Sequence, residues 1–377
     1  MSVLRGARVV TSDGVLDPGW IEVEDAVVTG VGAGRRSGGA DLDGAWVVPG
    51  FVDLHVHGGD GADFLTDDRD EALRAVRFHR RHGTTTLLAS VLTAAPERML
   101  AATATLAGLV EDGEIAGIHL EGPFLSRARC GAQDPRFLLA PDVALLRRLL
   151  DAGRGGVRVV TLAPELPGAL ELISAVVASG AVAAIGHTDG GHAATAAAID
   201  AGARLVTHLH NGMAPGDHRN PGPAATALAD ERVVCELIND GAHVHDVTAR
   251  LAFRAARGRI VLVTDAIAAA GMPDGPTRIG QLDVEVRDGV AMLADGSSLA
   301  GSTLTMDVAL RRAVQSLGLA LPDAVEAAAG TPARLLSPEP CFGRLFAGAR
   351  ADLVVLDHDL SVRAVMRRGE WDGRAPA

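Results

Sequence analysis

The chain has 377 residues, 48% of them hydrophobic and 22% charged, and carries a formal net charge of −12 at pH 7. That balance excludes a disordered chain, and the acidic excess argues against non-specific binding to nucleic acid or to an anionic membrane surface. Three widely spaced cysteines (Cys130, Cys235 and Cys341), no apolar run near the ~20 residues of a membrane span and a strand-like start point to a soluble, cytoplasmic protein.

Residues 1–49 read as short strands with tight turns, Val3, Val9 and Val10 preceding Ile21–Glu24 and Val27–Val28. The glycine-rich stretch Gly30–Gly34 has no helix behind it, so it reads as a surface turn and not a nucleotide loop. From Trp46 the pattern changes. Eight apolar, β-branched runs alternate with Ala/Leu/Arg-rich helical stretches, near Phe51–His57, Thr84–Val91, Ile115–Glu121, Val157–Ala163, Val182–His187, Leu205–His208, Val233–Asn239 and Ile260–Asp265. A helix over Asp142–Ala152 places Leu145, Leu146, Leu149 and Leu150 on one face. Eight strand–helix units in sequence predict an α/β chain built as a (β/α)8 barrel over residues 50–336. Residues 337–377 return to strands. With 1–49 they form too little core for two domains, which predicts one small β domain made from both ends.

The chemistry-bearing residues gather where these strands end. His55-Val56-His57 closes the first strand, Glu121 the third, His187 the fifth, His208 the sixth and Asp265 the eighth. A barrel brings those ends to one face, and strand alternation puts His55 and His57 on the same side. Imidazoles and a carboxylate around a barrel mouth suit a divalent transition metal with a position open for water, while Asp265 suits a proton carrier. Every fixed positive side chain is an arginine, so no lysine can act as a base or a carboxylated metal bridge. His79 and His82 read as solvated in a basic helix. His119 and His210 read as facing the surrounding helices, and His192 and His245 as starting helices. Cys130 lacks a second thiol or imidazole nearby and reads as inert.

Seven blocks then carry a family resemblance: Pro49–Gly58, His119–Phe124, Gly186–Asp189, Thr207–Met213, Asp240–His243, Val263–Ala266 and Leu299–Ser302. Over nearly its whole length the chain resembles the amidohydrolase superfamily and, within it, the N-acetylglucosamine-6-phosphate deacetylases. The resemblance implies that Glu121, His187 and His208 bind a principal divalent metal and that His55 and His57 complete a second site with Glu121 as the bridge. One or two ions per subunit follow, zinc first, with iron, manganese or cobalt as alternatives. It implies Asp265 as the catalytic acid–base group and His243 beside the substrate carbonyl. Ala132, Asn211, Gly212, Arg219, Leu299, Ala300 and Gly301 match substrate-contacting positions, and a homodimer is implied.

Two departures stand out. Gln133 replaces a histidine found in some members, and the basic residue that some members lend to a neighbour's phosphate has only Arg98 and His119 as poorly aligned candidates. The epimeric N-acetylgalactosamine 6-phosphate fits the same motifs. A cyclic-amide hydrolase or deaminase would share the metal residues but not the deacetylase blocks, and a non-catalytic scaffold would have lost ligands that are all present here.

Overall fold

The computed structural model describes residues 2–376. By contacts the chain divides into two compact units. One contains the chain to Asp53, Arg77–Thr86 and the stretch from Thr305 onward; the other contains Leu54–Val76 and Leu87–Leu304.

The first unit holds a mixed eight-stranded sheet that joins the two ends of the chain. Trp46–Pro49 pairs antiparallel with Leu353–Leu356, Val47 facing Val355, so the terminal segments do share one sheet as the sequence suggested. Alternate residues of these strands face one core, with Val9, Ile21, Val28, Val47, Leu353 and Val355 buried in it. The glycine-rich stretch is not a turn: Val27–Ala33 is a strand paired with Gly14–Glu24. Its glycines make room for an indole, since a Cβ at Gly32 would lie 2.5 Å from the Trp20 ring. His79 is not solvated either. It lies on the buried face of helix Arg69–Arg81 with its ring against Phe78, while His82 is part-exposed and pairs with Asp307 at 3.2 Å.

Eight parallel strands form the barrel in strict chain order: Phe51–Val56, Thr84–Val91, Gly117–Glu121, Val157–Leu162, Val182–Ile185, Leu205–Val206, Val234–Ile238 and Ile260–Val263. The ring nearly closes, the Asp265 N–H donating to the His55 carbonyl at 2.8 Å across the gap. These strands are buried on both faces, which is why they read as continuous apolar runs and not as alternation. Helix Val143–Ala152 begins where the Asp142 carboxylate accepts from the N–H groups of Ala144 and Leu145. It buries Leu145, Leu146 and Leu149, with Leu150 at the margin. Among the described residues, no helix is long and apolar enough to cross a membrane. A three-stranded antiparallel sheet, Gly275–Ile279, Leu282–Arg287 and Val290–Leu293, also belongs to the second unit and had no counterpart in the sequence reading.

Candidate metal centre and active site

Six of the eight strands stop one or two residues earlier than the sequence reading placed them, and that difference builds the site. His55 and Glu121 lie within their strands, whereas His57, His187, His208 and Asp265 stand just past theirs. His187, His208 and Asp265 have φ of 45°, 30° and 49°. A left-handed backbone costs non-glycine residues energy and is sustained only where the surroundings fix it. Here it follows the residue's departure from the parallel ladder. Gly301 (φ 58°) supports the last of these turns, for a Cβ there would come within 2.8 Å of the Asp265 carbonyl oxygen. That same carbonyl accepts from the Ser302 N–H at 2.8 Å.

Four imidazoles converge on Glu121. His187 Nε2 and His208 Nε2 are 3.0 Å apart, and each is 3.1 Å from Glu121 Oε1. His55 Nε2 and His57 Nε2 are also 3.0 Å apart, with His57 Nε2 3.2 Å from Glu121 Oε2. Two groups of possible ligands result, His55–His57–Glu121 and Glu121–His187–His208, sharing one carboxylate. Each Nδ1 faces an acceptor that points Nε2 inward: Glu236 Oε2 for His55 (3.0 Å), the Ser90 carbonyl for His57 (3.2 Å), the Arg129 carbonyl for His187 (2.8 Å) and the Asn211 carbonyl for His208 (3.1 Å). With every Nδ1 so engaged, the four Nε2 atoms turn toward one another and toward Glu121. Ligand atoms about 2.0–2.1 Å from a tetrahedral ion lie roughly 3.3 Å apart, close to the separations found. The donor set therefore fits divalent metals.

The charges point the same way. Burial opposes charging His55, yet Glu121, Asp265 and Glu236 carry its pKa well above the ordinary imidazole value. His57 is also opposed by burial, but hydrogen bonds to Asp265 and Glu121 raise it to about 9. Glu121 is pushed up by burial and, more strongly, held well down by His55 and His187. Asp265 is held to about 2 against burial by His55 and His57. Its Oδ1 lies 3.2 Å from His57 Nε2 and 3.4 Å from His55 Nε2. Protons thus occupy places that suit cations.

A cavity of about 170 Å³ opens beside this cluster. Of the expected substrate contacts, Ala132, Asn211, Gly212, His243, Leu299 and Gly301 line it. Ala300 is fully buried outside the lining, and Arg219 is exposed on the loop after Asn211, also outside the lining. His243 is held by Asp240, whose Oδ2 accepts from Nδ1 at 2.6 Å; burial lowers the His243 pKa, but that carboxylate outweighs it and the net shift is upward.

Other residues were missed or misplaced by the sequence reading. Gln133 donates to Glu121 Oε2 at 2.5 Å and accepts from the Thr93 N–H at 2.9 Å, so it steers the carboxylate that the two groups share. Ile279 reaches the cavity from the unexpected three-stranded sheet. His119 does not face the helices. Two residues before Glu121, it shares that residue's side of the strand, stacks edge-on against His55 at 4.6 Å and bonds the hydroxyls of Ser90 and Thr161. His210, by contrast, is exposed. Glu236 is the lone acid in the apolar run Val233–Asn239, a signal that was present in the sequence and not used.

A near-closed parallel barrel with two such clusters at its mouth defines a metal-dependent amidohydrolase. Residues 46–371 match the Amidohydrolase family. The chain is 36% identical to the N-acetylgalactosamine-6-phosphate deacetylase of Escherichia coli O157:H7, over 98% of both chains. It is 35% identical to the human N-acetylglucosamine-6-phosphate deacetylase, over 100% of this chain and 95% of that one. A solved structure of an aspartate-to-alanine mutant of the Mycobacterium smegmatis N-acetyl-D-glucosamine-6-phosphate deacetylase, in complex with N-acetyl-D-glucosamine 6-phosphate, matches with a TM-score of 0.95 and 49% identity over 98% of both chains. The chain belongs to the amidohydrolase superfamily and, within it, to the N-acetylglucosamine-6-phosphate deacetylase family.

Proposed function

We propose that the protein hydrolyses the acetamide of N-acetyl-D-glucosamine 6-phosphate, giving D-glucosamine 6-phosphate and acetate. The observation that carries this reading is the pair of His/Glu clusters sharing Glu121, with the Asp265 carboxylate against them and His243 on the same cavity. Glu121, His187 and His208 would hold the principal divalent ion, zinc first among zinc, iron, manganese and cobalt, and His55, His57 and Glu121 a second. Such an ion supplies Lewis acidity, making water nucleophilic near neutral pH. Asp265 accepts the proton of the attacking water and delivers it to the sugar nitrogen, because an amide nitrogen leaves poorly unless protonated. His243, its Nδ1 engaged by Asp240, turns Nε2 to the carbonyl oxygen as negative charge grows there. Ala132, Asn211, Gly212 and the Leu299–Gly301 segment shape the sugar subsite. Acetate release measured on the 6-phosphates of N-acetylglucosamine and N-acetylgalactosamine, and on both free sugars, tests the assignment. The glucosamine epimer is expected to react fastest, and a preference for the galactosamine epimer would overturn the choice between them.

The described lining of the cavity contains no arginine, and the family resemblance leads us to assign recognition of the phosphate to Arg219 on the adjoining loop. That loop is organised by Asp217, which accepts from the N–H groups of Arg219 and Asn220 and leaves the guanidinium unengaged by it. A guanidinium offers paired donors that match phosphate oxygens. Hydrogen bonds to charged groups contribute roughly 1.5–3 kcal/mol, so Arg219→Ala is expected to lose about 10- to 100-fold in kcat/KM on the phosphorylated sugar. Little change is expected on the free sugar, a poor substrate already. Equal losses on both sugars would mean that Arg219 shapes the loop and does not read the phosphate. We also expect a cytoplasmic homodimer. Sedimentation at micromolar concentration should give about twice the chain mass of 38.7 kDa, and a purely monomeric species would rule the dimer out.

A further inference from the structure

We propose that Glu236 is a positioning residue that fixes His55 for the second ion and thereby sets how many ions the site holds. The inference rests on the metal reading above and extends it beyond the ligands. Glu236 lies in strand Val234–Ile238, fully buried, and its Oε2 accepts twice: from His55 Nδ1 at 3.0 Å and from the His208 backbone N–H at 3.1 Å. One oxygen therefore touches a residue from each cluster.

Its hold on the two is unequal. For His55 it is the acceptor for Nδ1, which turns Nε2 toward His57 and Glu121. The other three imidazoles take a backbone carbonyl in that role, which is neutral; His55 alone takes a carboxylate. The His208 ring is oriented separately by the Asn211 carbonyl, so there Glu236 supports only the main chain. An ionised partner makes an imidazole a stronger donor to a cation, and partners of this kind typically change metal affinity by 10- to 100-fold.

A purely architectural carboxylate is a poor account of this position. Glu236 Oε1 is buried without a hydrogen-bond partner among the described residues. Leaving a buried charged group half satisfied is costly, and an apolar side chain would fill an otherwise apolar strand at less expense. Its placement becomes economical once a cation stands on the far side of the His55 ring.

The test is a zinc titration of the full chain, prepared ion-free, against a chromophoric chelator, with elemental analysis of the loaded protein. Wild type is expected to take up two ions. Glu236→Gln keeps the shape and an acceptor oxygen but removes the charge. It is expected to weaken one of the two ions by roughly tenfold and leave the other nearly unchanged, and Glu236→Ala should approach the hundredfold end of the range. Should Glu236→Ala fail to fold, the Gln variant carries the test alone, with circular dichroism and Tm as its control. Wild-type affinity for both ions in Glu236→Gln overturns the proposal. Equal weakening of both ions also overturns it, since that would be general loosening and not the positioning of His55. A wild-type protein that binds no zinc at all would instead sink the metal reading, and this inference with it.

Discussion

Dialysis against a strong chelator is expected to abolish acetate release, and zinc, iron(II), manganese or cobalt to restore it. The size of the effect follows from the nucleophile. Bringing the pKa of water from 15.7 to about 7 raises its ionised share at neutral pH on the order of 10⁸-fold, and no side chain in the cavity can substitute for that. Asp265, held to about 2 in the ion-free cluster, is too weak a base to deprotonate bulk water unaided. The chelated protein should stay folded. His55 and His57 are then held in charged form among Glu121, Asp265 and Glu236, so the vacated cluster remains an ion-paired network and not a set of bare buried carboxylates. Circular dichroism should therefore be little changed while turnover disappears. Full activity in a preparation that elemental analysis shows to be free of metal would sink the mechanism.

Much of this site was legible in the sequence because barrel strands announce themselves twice, as buried apolar runs and as the places where polar residues abruptly follow. His55, His57, Glu121, His187, His208 and Asp265 all stand at such transitions, and the structure gathers them. Less legible were the groups that orient them. Three of the four Nδ1 partners are backbone carbonyls, those of Ser90, Arg129 and Asn211, and a main-chain oxygen leaves no trace in residue identity. Glu236 did leave one, since a single acid within Val233–Asn239 has to meet a partner or an ion to be tolerated there. His119 was misread through the strand period: residues two apart share a face, which sets it beneath Glu121 and against His55. His79 shows the opposite limit. The charges around it in helix Arg69–Arg81 suggested solvent, but its own position is on the buried face. The strand Val27–Ala33 was hidden by its glycines, which disfavour strands in isolation and are used here because Trp20 lies across them.

Asp265→Asn is expected to lower kcat by about 10²- to 10⁴-fold, the usual contribution of general acid–base catalysis. The variant should keep the ion held by Glu121, His187 and His208, a group to which Asp265 does not belong. Its fold should also survive, since the turn is held by the main chain: the residue's N–H donates to the His55 carbonyl and its own carbonyl accepts from Ser302. What disappears is the capacity to carry a proton from water to the leaving nitrogen, and with it both halves of the reaction. KM should move little, as an amide of the same shape fills the same space. Two measurements separate this role from a structural one. Elemental analysis should still find the ion held by Glu121, His187 and His208, and an analogue with an acetate ester in place of the acetamide should be impaired less than the natural substrate, because an alkoxide leaves with less help from an acid than an amide nitrogen does. Turnover near the wild-type value would assign the proton to another group. His243 would then be the first to test: it lines the same cavity, with its Nδ1 held by Asp240.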